Sequence, residues 1–391
     1  MHLTRLKLEH FRLVEEAEFD LSPGANLFVG ENAQGKTTLL EAVHLLSTGR
    51  SFRTSREREI IPRREDAEEK TDRIVKFAAA ECDFTARTGS HTLRAAVTST
   101  GKSFWIDGNG LRKVGDLWGT LNTVVFVPSD LELVQAGPAG RRALMGSMLA
   151  RTSRTDLEAM QDYALALRER NALLRAQRPV PSIEFESFEE QMARHGARIM
   201  ISRQTLVSAM APIAQEQIRQ LTGGADRFRM DHETGWPIDI GIKPEHLVED
   251  AAAEQKLLDR LRYFWARDRE GDKRRGSTDS GPHKADMSLV LNGQDARQYA
   301  SQGQARTIVL ALRLAEMQLL ETMCGEPPVL LLDDVLGELD ANRTRLFMQL
   351  LSRREMQTLL TATDATRIES ELPVGARFKV RAGKVRKASV G

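Results

Sequence analysis

The residues best equipped for chemistry fall in two groups near opposite ends of the chain. Gly30-Glu31-Asn32-Ala33-Gln34-Gly35-Lys36-Thr37 follows the short apolar run Asn26–Val29 and precedes a helical pattern. That context marks a phosphate-binding loop, in which two glycines admit backbone N–H groups to a polyphosphate and the opening helix adds its positive end. Lys36 neutralises the terminal phosphates, the Thr37 hydroxyl ligates Mg²⁺, and Thr38 continues the helix start. ATP with Mg²⁺ is the cofactor this arrangement predicts.

The second group begins with Val329-Leu330-Leu331-Leu332, a buried-strand run ending in Asp333-Asp334. Asp333 is placed to support the metal and Asp334 to orient and polarise an attacking water. Aspartate reaches one methylene less far than glutamate, which predicts slow hydrolysis suited to a switch. Ser301-Gln302-Gly303-Gln304 opens another helix and offers a further anion site. The P-loop already has its own helix N-terminus, so the Ser301 group is expected to face a γ-phosphate held by a second copy. ATP then acts as glue in a homodimer, and Gly337-Glu338-Leu339-Asp340 lies at the same interface. Further candidates are Arg12 for the nucleotide, Thr363 for the γ-phosphate or its water, and Asp130 as a metal or γ-phosphate sensor or a plain cap.

Residues 38–300 separate the two groups, so an insertion sits inside the ATPase. Residues 3–30 read as strand, turn and strand, with Ser22-Pro23-Gly24 as the turn. A helix over 37–46 follows, stopped by Gly49, and Asp107-Gly108-Asn109-Gly110 marks a hairpin. From 143 to 267 the texture is helical: Met192, Ile199, Leu206 and Ile213 fall seven apart, with Phe188 and Met210 on the same face. Arg178-Pro179-Val180-Pro181 breaks this stretch from the helix before it. A projecting antiparallel arm and a packed helical subdomain both satisfy that pattern. The expected organisation is α/β: 1–142 and 276–391 form the ATPase head, and 143–275 an inserted, mainly helical domain.

Length suggests two or three cores. Net charge is +1, so the chain is no globally basic coat, yet cations cluster locally. Arg50, Arg53, Arg56, Arg63 and Arg64 crowd one segment, Arg267 to Arg275 another, and Lys379 to Lys387 a third. Three such clusters in an ATPase suggest phosphate-backbone contacts, with the Arg50–Arg64 segment the first choice. No apolar run reaches the roughly 20 residues needed to span a bilayer. The amphipathic start, Leu3, Leu6 and Leu8 among polar residues, argues against a signal peptide. Two cysteines without spacing fit a reducing, cytoplasmic setting. None of the histidines has metal-ligand spacing, and His283 reads as structural.

With these residues in place the chain resembles the RecF family, bacterial recombination mediators with an ABC/SMC-type ATPase head. Leu3-Thr4-Arg5-Leu6, Phe11-Arg12, Gly49-Arg50-Ser51-Phe52-Arg53-Thr54, Pro128-Ser129-Asp130-Leu131 and Gly281-Pro282-His283 follow its pattern in order. So do Ser301-Gln302-Gly303-Gln304-Ala305-Arg306-Thr307 and Leu332-Asp333-Asp334-Val335. Lys284, Ala285 and Gly337 depart from it, and they question fine tuning rather than identity. The resemblance implies an ATP-dependent dimer on DNA at duplex/single-strand gaps. It also implies work with RecO and RecR to load RecA, and a role in replication restart and the SOS response. A transporter ATPase subunit, a nuclease-associated head and a chromosome-organising protein are the alternatives. The first would need a membrane partner, the second another carboxylate cluster, the third far longer coiled coils.

Overall fold

A computed structural model describes residues 1–62, 76–236, 251–334, 341–352 and 355–388, the side chains of 251–253, 341, 342 and 367 aside. The chain forms two compact units. One comprises Met1–Asp130, Gln220–Thr222 and Glu316–Gly391, the other Leu131–Arg219 and Gly223–Ala315. By compactness the second unit therefore starts before the expected helical insertion and ends after it. It takes in the strands Phe228–Glu233 and Asp286–Leu291 and the start of the helix Gln302–Cys324.

The first unit holds two sheets, each with six strands among the described residues. In one, all antiparallel, the order is Val14–Asp20, His2–Phe11, Phe77–Ala86, Gly89–Thr98, Gly101–Ile106 and Asn109–Gly110. Leu3, Leu6 and Leu8 all point inward despite their uneven spacing because the ladder shifts register between Leu3 and Arg5. The expected hairpin is present: Asp107 and Gly108 have φ of 51° and 79°, the paired left-handed conformation of a two-residue turn. A second tight turn, at Arg12-Leu13, splits what reads in sequence as one strand; Arg12 itself takes φ 52°.

The other sheet carries the P-loop strand Ala25–Val29. It lies between Thr358–Ala362 and Val374–Arg381, parallel to both, with Leu27 opposite Leu360 on one side and Arg377 on the other. Val329–Asp333 and then Thr123–Phe126 continue the parallel run. These central strands are apolar without alternation because both faces are covered. The helix Lys36–Thr48 covers one of them: Leu39, Leu40, Val43, Leu45 and Leu46 are fully buried in the core shared with both sheets. Gly49 ends it in a left-handed conformation and donates to the Leu45 carbonyl at 2.8 Å.

In the second unit, Met192, Ile199, Leu206 and Met210 lie buried on one 40-residue helix, Ser182–Leu221, with Ile213 and Phe188 half-buried. It packs with Arg154–Leu174 and Ala251–Arg275 around Tyr163, Met200 and Trp265. A buried guanidinium, Arg170, ties the three helices together through Glu189 at 3.0 Å, Asp272 at 2.8 Å and the Trp265 carbonyl at 3.1 Å. His283 is structural as expected. Its Nε2 lies 3.1 Å from the Thr278 carbonyl, which can only accept, so Nδ1 accepts the Tyr163 hydroxyl proton at 2.8 Å. Ala285 is buried, and Lys284 is exposed. No described helix is long and apolar enough to cross a membrane.

Candidate nucleotide-binding site

The phosphate-binding turn is shaped by close backbone approach. A Cβ on Gly30 would stand 2.3 Å from the Val380 carbonyl oxygen, so only glycine fits there. Gly35 takes φ 103° and starts the helix. Gln34 is fixed from outside, its side-chain oxygen accepting the Ala382 N–H at 2.7 Å and its carbonyl the Gly383 N–H at 3.0 Å. Glu31, Asn32 and Ala33 form the exposed crest. Lys36 is 7% exposed and its Nζ donates to the carbonyls of Gly30 and Glu31 at 2.6 and 2.9 Å. Burial pushes its pKa below the usual lysine range, and Asp334 and Asp333 pull it back.

The acidic strand end meets the loop directly. Thr37 Oγ1 donates to Asp333 Oδ1 at 2.8 Å, and Thr361 Oγ1 donates to the same oxygen at 2.9 Å. Burial raises the Asp333 pKa, while the two hydroxyls lower it. A cation beside Asp333 would favour its charged form. Asp334 is exposed in a left-handed conformation, φ 52°, and its N–H donates to Thr361 Oγ1 at 3.0 Å. These groups fit Mg-ATP: a turn with no room for a Cβ, a buried lysine on the loop's own carbonyls, and a hydroxyl bonded to a carboxylate at the strand end.

Arg12 is anchored beside this site by a residue that escaped the sequence reading. Its Nε and one terminal nitrogen donate to the two oxygens of Glu41 at 2.5 and 2.6 Å. Glu41 is fully buried in the P-loop helix and also accepts from Ser51 Oγ at 2.5 Å, with Arg53 at 3.5 Å. One acid therefore joins the P-loop helix, the first turn and the basic segment. Arg50 and Arg56 are exposed on that segment, and Arg50 to Ser55 edge an open cleft of about 590 Å³. Arg63 and Arg64 lie outside the described residues, as do Gly337 and Asp340.

The other candidates are placed as follows. Thr363 is exposed just beyond the strand Thr358–Ala362, and the hydroxyl bonded to Asp333 from that strand is that of Thr361. Asp130 is buried and its carboxylate accepts the Val127 N–H at 3.1 Å, the cap geometry. In the second unit, Ser301 and Gln304 form a reciprocal capping box. Ser301 N–H donates to Gln304 Oε1 at 3.0 Å and Gln304 N–H to Ser301 Oγ at 3.3 Å. Ala305 N–H reaches the Ser301 carbonyl. The N–H groups of Gln302 and Gly303 remain for an anion. Ser301 and Gln302 are exposed.

Residues 2–383 match the family model described as the RecF/RecN/SMC N terminal domain. The chain is 36% identical over 389 residues to the DNA replication and repair protein RecF of Symbiobacterium thermophilum, covering 98% of each. It is 37% identical over 390 residues to that of Anaeromyxobacter dehalogenans, covering 98% of this chain and 99% of the relative. A solved structure of "the recombination mediator protein RecF-ATP in RecFOR pathway" superposes with TM-score 0.86 at 28% identity, over 99% of this chain and 97% of the other. An Smc head bound to the C-winged helix domain of ScpA shares the fold at TM-score 0.55 and 14% identity, over 100% of this chain and 98% of that one.

Proposed function

The chain belongs to the RecF family, and from that membership we propose an ATP-dependent DNA-binding protein of recombinational repair, with an ABC-type ATPase head. The observation that carries the ATPase part is the 2.8 Å bond from Thr37 Oγ1 to Asp333 Oδ1, which brings the two distant motifs into one site. Lys36 and the turn amides hold the phosphates, and Thr37 with Asp333 holds Mg²⁺. The ion supplies charge neutralisation at the terminal phosphates. Asp334, its backbone fixed by Thr361, accepts a hydrogen bond from the attacking water. Arg12 lends its charge from the first turn while Glu41 fixes its aim. Asp130 joins the metal set only by leaving its cap, and the exposed Thr363 contacts the γ-phosphate or its water.

ATP binding drives head-to-head dimerisation on DNA, with the Ser301–Gln304 helix start of each copy, through its Gln302 and Gly303 amides, and Asp340 meeting the other copy's nucleotide. Slow, DNA-stimulated hydrolysis resets the switch. Arg50, Arg53 and Arg56, with Arg63 and Arg64, contact the phosphate backbone near duplex/single-strand junctions. RecO and RecR are the partners, and RecA loading is the outcome. The test is mass in solution with Mg-ATP, with and without gapped duplex, for the natural chain, Lys36→Met and Ser301→Arg. ATP-dependent dimers abolished by both substitutions and stabilised by gapped duplex support the mechanism. Dimers indifferent to Ser301→Arg, or a chain monomeric throughout, would remove the shared site.

A further inference from the structure

The C-terminal hairpin pairs Val374–Arg381 with Lys384–Ala388, and its tip is the segment that pins Gln34. Gly383 makes the approach possible: a Cβ there would stand 2.2 Å from the Leu13 carbonyl oxygen. The hairpin's register sets Lys379 opposite Arg386 and Arg381 opposite Lys384. Directly opposed residues of an antiparallel pair share a face, so four cations stand together there. All four are exposed, and none has an ion pair or side-chain hydrogen bond among the described residues. Opposed like charges weaken a sheet. On the adjoining strand, Glu18 is held by Arg5 and Lys7. The opposite face of Val374–Arg381 is committed to the core through Phe378 and Val380.

We propose that this basic face of the hairpin binds the phosphate backbone of duplex DNA, next to the nucleotide-binding turn. The inference rests on the DNA-binding reading above and adds a surface to it. Charge complementarity selects a polyanion. The face carries no aromatic side chain, so it offers no stacking platform for unstacked bases and favours duplex over single strand. DNA held there leans on the element that braces Gln34, which links the polymer to the P-loop through the Ala382 and Gly383 N–H groups, donating to the Gln34 side chain and carbonyl.

The experiment measures affinity for a fully paired duplex across a salt series. It compares the natural chain with the variant Lys379→Gln/Arg381→Gln/Lys384→Gln/Arg386→Gln. Fluorescent-nucleotide binding and thermal melting are followed in parallel. Each phosphate contact contributes roughly 0.9 to the slope of log affinity against log salt, so the variant's slope should shrink by roughly 3–4. Its nucleotide affinity should be unchanged, and its melting temperature equal or higher because repulsion is relieved. The pair Lys379→Gln/Arg386→Gln alone should lie midway, which keeps the test sound if the fourfold variant misfolds. An unchanged slope in both variants overturns the proposal. So does a loss of nucleotide affinity without loss of DNA binding, which would assign the face to the nucleotide. A natural chain that binds no DNA at any salt would instead sink the DNA-binding reading itself, and this surface with it.

Discussion

Arg12 and Glu41 form a two-pronged ion pair, 2.5 and 2.6 Å, between the first tight turn of the chain and the middle of the P-loop helix. Glu41 has no exposure at all, and Arg12 keeps only 17% of its side-chain surface. A carboxylate so placed must stay paired, because an uncompensated buried charge costs several kcal/mol.

Glu41→Ala should therefore lower unfolding free energy by about 2–4 kcal/mol, by leaving Arg12 and Ser51 without their acceptor. Urea denaturation gives the number. Nucleotide affinity should fall as well, because Arg12 loses its aim. A midpoint within error of the natural chain would show the pair to be decorative.

The two aspartates should separate in kinetics. Asp334→Asn leaves Thr37 and Asp333 intact, so ATP binding persists while hydrolysis falls about 10²–10⁴-fold, the usual range for losing a positioned proton acceptor. Asp333→Asn replaces the oxygen shared by Thr37 and Thr361 and should weaken Mg²⁺-dependent binding itself. Equal effects on binding from both would contradict the assignment.

Acid should destabilise the chain through two histidines. Burial holds the imidazoles of His232 and His283 at about 4. The unfolded chain protonates them near 6.5. Between about 6.5 and 4 the unfolded state binds more protons, so stability drops as pH falls through that window. Above about 6.5 both forms are neutral and the slope vanishes. Each histidine contributes up to about 1.4 kcal/mol per pH unit. Urea midpoints at several pH values, with His232→Phe as comparison, measure it; identical slopes would refute the His232 share.

Arg170→Met should cost about 2–4 kcal/mol, since Glu189 and Asp272 lose their shared buried partner and are left with Arg269 and Arg275 alone. Arg170→Lys should recover little, because one ammonium cannot reproduce the guanidinium's fork across three helices. Chemical denaturation of both variants decides this, and full rescue by lysine would count against a geometric role.

How much of this was visible beforehand depended on whether the signal was local. The P-loop, the Asp107-Gly108 turn and the Gly49 stop each rest on conformations that few residues tolerate, so type and spacing declare them. Thr361 sits in a five-residue buried strand, and its hydroxyl matters only because Asp333 lies on the neighbouring strand. Thr363, expected at the γ-phosphate or its water, lies two residues further along, where the chain has already left the sheet. Glu41 interrupts an apolar helix face, a sign of a buried partner, yet nothing nearby names Arg12. The split at Arg12-Leu13 was hidden because two non-glycine residues, His10 and Arg12, take left-handed backbone. The Ser301 group was legible as a helix start, but not that Ser301 and Gln304 would cap each other.

The P-loop strand Ala25–Val29 finds both of its neighbours in the last part of the chain, Thr358–Ala362 and Val374–Arg381. During synthesis, about 330 residues must follow it before the first neighbour exists, an interval of about 15–65 s at roughly 5–20 residues per second. Throughout that time the nascent strand has no sheet partner, and its backbone N–H and C=O groups stay open to water or to chaperones. Nucleotide cannot assist the folding of the early nascent fragment, because the wall behind Gly30, the Val380 carbonyl, is translated 350 residues later. A chain cut short before Val374–Arg381 would thus lose ATP binding even though every residue of its P-loop had been made.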